Sequence, residues 1–228
     1  MIVTGLDSNR EDIIEWWLDN ALKHHKTEKI GVWDLGMSSA CRNKLERKYK
    51  QVWFSEVIDG HIPLHEKKIG WYYKIHCVKE SPEQSVVWVD SDCQILTDIS
   101  DIFHLVPEGK IGLTKDWGRS NWWATGVIVV NDRPSLLDTW HERLWTPDEY
   151  GELIRGDQEA LNDLIGTGEH EQIVELPQEY QWLRASLNRG IKSDNVKVIH
   201  WTGAPGKKFI NEVLMKGGKY TGQQVDTL

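Results

Sequence analysis

No run of about 18 apolar residues occurs in the 228-residue chain, so nothing in it reads as a membrane-spanning helix. The opening MIVTGLDSNRED lacks the basic start and apolar core of a secretory leader, and the expectation is a cytoplasmic protein. Cysteine is scarce. Cys41, Cys77 and Cys93 are odd in number and lack metal-type spacing, which predicts three reduced thiols. Positive charge is also short, with 27 Lys and Arg against 35 Asp and Glu and a net charge of −8. That balance argues against non-specific binding to nucleic acid or to anionic membrane surfaces. The seven prolines and 19 glycines form no linker, so residues 1–228 are expected to make a single domain. Tryptophan is the exception to this thinness, at 13. Its rings serve either to fill a core or to stack on sugar faces, and composition does not choose between the two.

The first third alternates in type. Residues 1–4 read as a strand, and Ser8 and Glu11 stand at capping-box spacing before a helical stripe of Ile13, Ile14, Trp17, Leu18 and Ala21. Residues 29–34 form a second strand, 38–49 a polar helix and 51–58 a third strand. This succession predicts an α/β fold with a mostly parallel central sheet flanked by helices. Ligands in such sheets bind beyond the carboxyl ends of the strands. The exit of the first strand, Val3-Thr4-Gly5, lies at that edge.

So does the stretch that dominates the sequence, SVVWVDSDCQIL at 85–96. Val86, Val87, Trp88 and Val89 predict a buried strand that ends on Asp90-Ser91-Asp92. Two carboxylates where a buried strand emerges are costly unless something positive holds them, and hard oxygen donors suit Mg²⁺ or Mn²⁺. Taken alone, an Asp-x-Asp is more often a solvated turn; its position at a strand end and the residues downstream raise its weight.

A helix over 68–78 leads into this strand, and a short helix over 98–103 follows it. Strands are predicted over 110–115 and 122–130, the second carrying Thr125-Gly126. Asp132 and Pro134 open a helix whose inward face is Leu136, Leu137, Trp140 and Leu144. After a loop at 146–156, Asp157-Gln158 starts a helix with Ala160, Leu161, Leu164 and Ile165 inward; for Asp157 alone, a helix cap is the favoured reading. Late strands lie at 172–176 and 196–200. The segment 200–208, HWTGAPGKK, is glycine-rich and basic in an acidic protein, and a loop with free backbone N–H groups and lysines suits phosphate.

Several segments stand in a telling order: Lys74-Ile75-His76-Cys77 before the Asp-x-Asp strand, Thr125-Gly126-Val127 with Asn131, Asp157-Gln158 with Leu161-Asn162, Leu176-Pro177 with Tyr180 and Trp182, and His200 with Gly203 and Lys207. Together, over residues 2–209, they resemble the glycogenin-like retaining glycosyltransferases, family 8 of the GT-A fold, and the bacterial galactosyltransferases related to them. The resemblance implies a single GT-A (Rossmann-like) domain, with a nucleotide-binding half over about 1–97 and a sugar and acceptor half over 98–228 that includes a metal-binding C-terminal loop.

It also implies roles. Asp90, Asp92 and His200 would hold Mn²⁺ or Mg²⁺ against the diphosphate of a nucleotide-sugar donor, and Lys207 with the Gly203 backbone would take the β-phosphate. Lys74 would contact the donor's phosphate or sugar, with Thr4, Ser91 and Thr125 completing the donor-binding set. Asp157 and Gln158, the catalytic pair, would sit against the sugar near its anomeric carbon. The implied reaction moves a hexose from UDP-glucose or UDP-galactose, with retention, to a glycan, lipid-linked, protein or small-molecule acceptor.

The chain departs from the family pattern at Ala124, where an Asn is usual, and at Asp7 and Arg10, where Asn and a uracil-stacking Tyr are usual. The last loop is one residue longer, so Lys208 competes with Lys207, and Phe209 stands in for a missing Pro-Trp. These departures motivate an alternative, a catalytically weak GT-A domain that binds a nucleotide-sugar or glycan without efficient transfer. A phosphohydrolase built on the Asp-x-Asp is a third reading, disfavoured because three strands precede the pair.

Overall fold

The computed structural model describes residues 1–56, 69–119, 122–166 and 168–220. Its main sheet has seven strands, β1 (Ile2–Leu6), β2 (Ile30–Asp34), β3 (Trp53–Glu56), β4 (Ser85–Val89), β6 (Lys110–Asp116), β7 (Trp122–Asn131) and β8 (Ile173–Glu175), ordered β3-β2-β1-β4-β7-β6-β8. Every pairing is parallel except those that β7 makes with β4 and β6. The α/β class with a mostly parallel central sheet is therefore observed.

Alternation along the strands puts apolar groups on both faces. In β4, Val86 and Trp88 enter one core with Ile75, Trp140 and Leu161, while Val87 and Val89 enter the other with Ile14, Trp17 and Leu45. The first core lies under α3 (Ile69–Glu80), α4 (Leu136–Trp145) and α5 (Asp157–Ile165); the second lies under α1 (Ile14–His24) and α2 (Ser39–Lys48). Most tryptophans serve these cores. Trp17, Trp88, Trp140 and Trp201 are fully buried, whereas Trp71 and Trp117 are exposed.

A second sheet escapes the periodicity because its strands are only two or three residues long. It contains β5 (Cys93–Ile95), β9 (Trp182–Leu183) and β10 (Val198–His200) in the order β5-β10-β9. β10 runs antiparallel to β5 with His200 opposite Cys93. This register sets His200 beside the Asp-x-Asp. The short α6 (Arg184–Asn188) follows β9, and α7 (Gly203–Glu212) follows β10.

Three local expectations are corrected. Ser8 and Glu11 do not form a capping box. Asp7 caps a 3-10 turn at Ser8–Arg10 by accepting from the Asn9 N–H, and Glu11 instead receives the N–H and hydroxyl of Ser38 at the start of α2. Residues 200–208 are not an extended loop, because α7 begins at Gly203. Helix and strand meet closely there, since a Cβ on Gly206 would lie 2.1 Å from the Trp201 carbonyl oxygen. Finally, β1 runs on to Leu6 rather than ending at Thr4. Residues 57 and 58 of the predicted third strand lie outside the described residues. No helix among the described residues is long and apolar enough to cross a membrane.

Candidate functional site

The carboxyl edges of β1 and β4, the first half of β7, the first turns of α3 and the N-termini of α5 and α7 border one cleft of about 370 Å³. Asp90, Ser91, Asp92, Thr125, His200, Gly203 and Lys207 all line it, as do Lys74, Asp157 and Gln158. Thr4 does not. It is wholly buried two residues short of the strand end, and Gly5, Leu6 and Asp7 line the cleft in its place.

His200 Nε2 lies 3.1 Å from Asp92 Oδ1 and 3.8 Å from Asp90 Oδ2. Neighbouring ligands of an octahedral ion with bonds of about 2.1 Å stand roughly 3 Å apart, so His200 and Asp92 are already at ligand spacing, and Asp90 would have to move inward to join them. The electrostatics agree with the geometry. Burial pushes the Asp90 carboxyl above its ordinary range even though Lys74 and His200 pull it down. Burial opposes ionisation of Asp92 as well, but His200 and Lys207 hold it below the ordinary value. His200 is raised, because the attraction of Asp92 overcomes burial. Among the described residues, the set whose ligand atoms all lie within 4.8 Å of one another is Asp92, Cys93 and His200; Asp90 stands just outside it and, of these three, reaches His200 alone, at 3.8 Å. The Cys93 thiol is pushed well above its usual value by burial and lies 3.8 Å from the Gly126 carbonyl. Two carboxylates and one imidazole are the better match to a hard cation.

Lys74 sits at the centre of the acidic groups. Its Nζ donates to Asp90 Oδ2 at 3.1 Å and to the Thr125 carbonyl at 3.0 Å, and lies 2.9 Å from both Asp90 Oδ1 and Asp157 Oδ2. Burial disfavours its charge, yet Asp157 and Asp90 raise its pKa above the ordinary lysine value. Lys74 also lines the cleft, so the ammonium that holds these protein acceptors borders the space expected for the donor's phosphate or sugar. The contact with Asp157 is ionic, without the alignment of a hydrogen bond.

Asp157 begins α5 and is 5 % exposed, its carbonyl receiving the Trp140 indole N–H at 2.9 Å. Gln158 donates to Asp116 Oδ2 at 3.0 Å. Sequence reasoning missed Asp116; the available signal was a carboxylate closing a predicted strand at the same sheet edge. It also missed Trp71 and Arg119, which line the cleft beside Glu159, and Arg119 pairs with Glu159 at 2.8 Å. Ala124 is buried and does not line the cleft. Lys207 lines it, with Nζ 3.8 Å from Asp92 Oδ2, while Lys208 is exposed and Phe209 packs against Trp201 with ring centroids 4.6 Å apart.

The ring of His200 fits because position 126 has no side chain, a Cβ there falling 2.3 Å from Nδ1. Gln181 approaches the same nitrogen at 3.5 Å while accepting from the Val127 N–H at 2.6 Å.

No protein-family model matches the chain. It is similar to glycogenin-1 of Mus musculus, 26% identical over 200 residues that cover 82% of this chain and 58% of that protein. Glycogenin-1 of Homo sapiens is also 26% identical, with 55% of its length covered. The chain thus spans little more than half the length of these curated relatives. Among solved structures it superimposes on the galactosyltransferase LgtC, in complex with donor and acceptor sugar analogues, with a TM-score of 0.72, 16% identity and coverage of 99% of both chains. The glycosyltransferase GlyE of Streptococcus pneumoniae gives a TM-score of 0.69 at 16% identity, covering 98% of this chain and 65% of that one. These likenesses show the GT-A fold, and the sequence is glycogenin-like.

Proposed function

We propose that the protein is a metal-dependent glycosyltransferase that moves a hexose from a nucleotide-diphosphate sugar, UDP-glucose or UDP-galactose, to an acceptor with retention at the anomeric carbon. The observation that carries this reading is the convergence of Asp90, Asp92 and His200 beside Lys207 in one cleft. Resemblance to sugar-transferring relatives supports the reaction class.

Asp90, Asp92 and His200 would hold Mn²⁺ or Mg²⁺, which when bound supplies Lewis-acid stabilisation of charge on a departing diphosphate. Lys207 and the Gly203 backbone at the start of α7 add positive potential on the same side. Ser91 and Thr125 line the donor side with hydroxyl groups. Asp157, fixed by Lys74, and Gln158, fixed by Asp116, present a carboxylate and an amide to the sugar. Domain 1–228 then divides its labour, with the half up to about 97 holding the nucleotide and the half from 98 holding sugar and acceptor. Three free thiols suit a cytoplasmic setting.

The test is a thermal-shift screen of UDP-, GDP-, CMP- and dTDP-sugars with and without Mn²⁺. Stabilisation by a UDP-hexose that requires the cation is expected, and equal shifts in the presence of EDTA contradict the reading. Withdrawal of residue 124 from the cleft favours one alternative, a domain that binds a nucleotide-sugar or glycan without efficient transfer. Donor hydrolysis by the wild type that is lost in His200→Ala contradicts that alternative.

A further inference from the structure

Trp88 and Asp90 stand two apart at the end of β4, so their side chains leave the backbone on one side. The Trp88 indole N–H donates to Asp90 Oδ1 at 2.7 Å, and the same oxygen is 2.9 Å from Lys74 Nζ. The indole thus supplies the hydrogen bond to Oδ1, and Lys74 approaches that oxygen as an ion pair. Oδ2 accepts the Lys74 hydrogen bond at 3.1 Å and is the oxygen that approaches His200 Nε2, at 3.8 Å.

The indole bond is not merely what any buried tryptophan acquires in this protein. Trp17, Trp123 and Trp182 bury their Nε1 groups without a hydrogen-bond partner. The Trp88 ring, moreover, is seated from the neighbouring strand. Val3 pairs with Trp88 across β1 and β4, and two residues further along β1 a Cβ on Gly5 would meet the indole Cη2 at 2.8 Å and Leu35 Cδ1 at 3.1 Å. Only an unsubstituted position lets the ring lie across the first strand with its N–H at the carboxylate.

We infer that Trp88, seated by Gly5, is a positioning residue: by capping Oδ1 it fixes the Asp90 carboxylate so that Oδ2, the oxygen facing His200, is turned toward a divalent cation shared with Asp92 and His200. The inference rests on the metal-dependent reading above. Losing such an outer hydrogen bond typically lowers metal affinity by about tenfold or more.

The experiment is Mn²⁺ titration, followed by calorimetry, of the wild type, Trp88→Phe and Gly5→Ala, each with a thermal melt. Trp88→Phe keeps the aromatic packing and is expected to bind Mn²⁺ about tenfold more weakly; Gly5→Ala, which displaces the ring without removing it, is expected to do the same and keeps the test open should Trp88→Phe not fold. In the metal-free protein, the Trp88 indole N–H resonance in a ¹H–¹⁵N spectrum is expected to shift on Asp90→Asn. A folded Trp88→Phe with wild-type Mn²⁺ affinity, or an indole resonance indifferent to Asp90→Asn, overturns the positioning role and leaves the metal reading standing. A wild type that binds no Mn²⁺ overturns the metal reading, and the inference with it.

Discussion

The main sheet and the small sheet each supply half of the cleft, by different physical means. On the main-sheet side, Asp90 and Asp157 come from element ends and are tied to one buried ammonium, Lys74. On the small-sheet side, His200 is held by strand register and by a tight fit against Gly126, with β10 spanning only three residues. The first half is organised by charge neutralisation and is expected to fail as a unit when its cation is removed. The second is organised by shape, so small steric changes should matter more there than changes of charge.

The sharpest way to break this contrast is at Lys74. Replacing it with Ala leaves two buried carboxylates without their cation, and breaking a buried pair in this way costs about 3–5 kcal/mol. Urea unfolding should show a loss on that scale. A loss within the noise of a surface substitution would mean that the carboxylates do not depend on Lys74.

Gly126→Ala probes the other side. The added methyl overlaps His200 Nδ1, and overpacking of this kind costs about 1–3 kcal/mol. Stability should fall less than in Lys74→Ala, while Mn²⁺ affinity drops with it as the imidazole is displaced. Gly70→Ala is the control, because its Cβ would meet nothing nearer than 3.8 Å. Equal metal affinity in the two variants would show that shape does not hold His200.

The smallest expected effect is a pH dependence. His200 has a folded-state pKa raised above 6.5 by Asp92, so the stability it contributes in EDTA is fully present below that value and is lost as pH rises through the raised pKa. The melting-temperature gap between the wild type and His200→Ala should therefore narrow from pH 6 to pH 9. Mn²⁺ binding should strengthen over the same range, since the ligand must shed its proton. A gap that widens with pH contradicts the assigned partner.

The two halves also differed in how much of them could be read from sequence. β4 and its Asp90-Ser91-Asp92 terminus are legible because a continuous apolar run ends abruptly in carboxylates, and the start of α5 is legible because Asp157 precedes an inward stripe. Both are local signals. The small sheet is invisible to periodicity, since strands of two or three residues complete too little alternation to register. Residues 200–208 looked like a loop because two glycines and a proline mask a helix whose first turn must pass close to Trp201. Side-chain commitments were the least legible of all. Nothing near Lys74 in sequence says that its protein partners are Asp90, Asp157 and the Thr125 carbonyl, nor that Glu11 would reach Ser38.

The central claim is that Asp90, Asp92 and His200 share one cation in a nucleotide-binding cleft. It is tested most directly by calorimetric titration of UDP into the wild type and Asp92→Ala, each with Mn²⁺ and with EDTA. Binding by the wild type only when Mn²⁺ is present, and weakened by about a hundredfold or more in Asp92→Ala, is the predicted result. UDP binding that is the same in EDTA, or unchanged by Asp92→Ala, would contradict it.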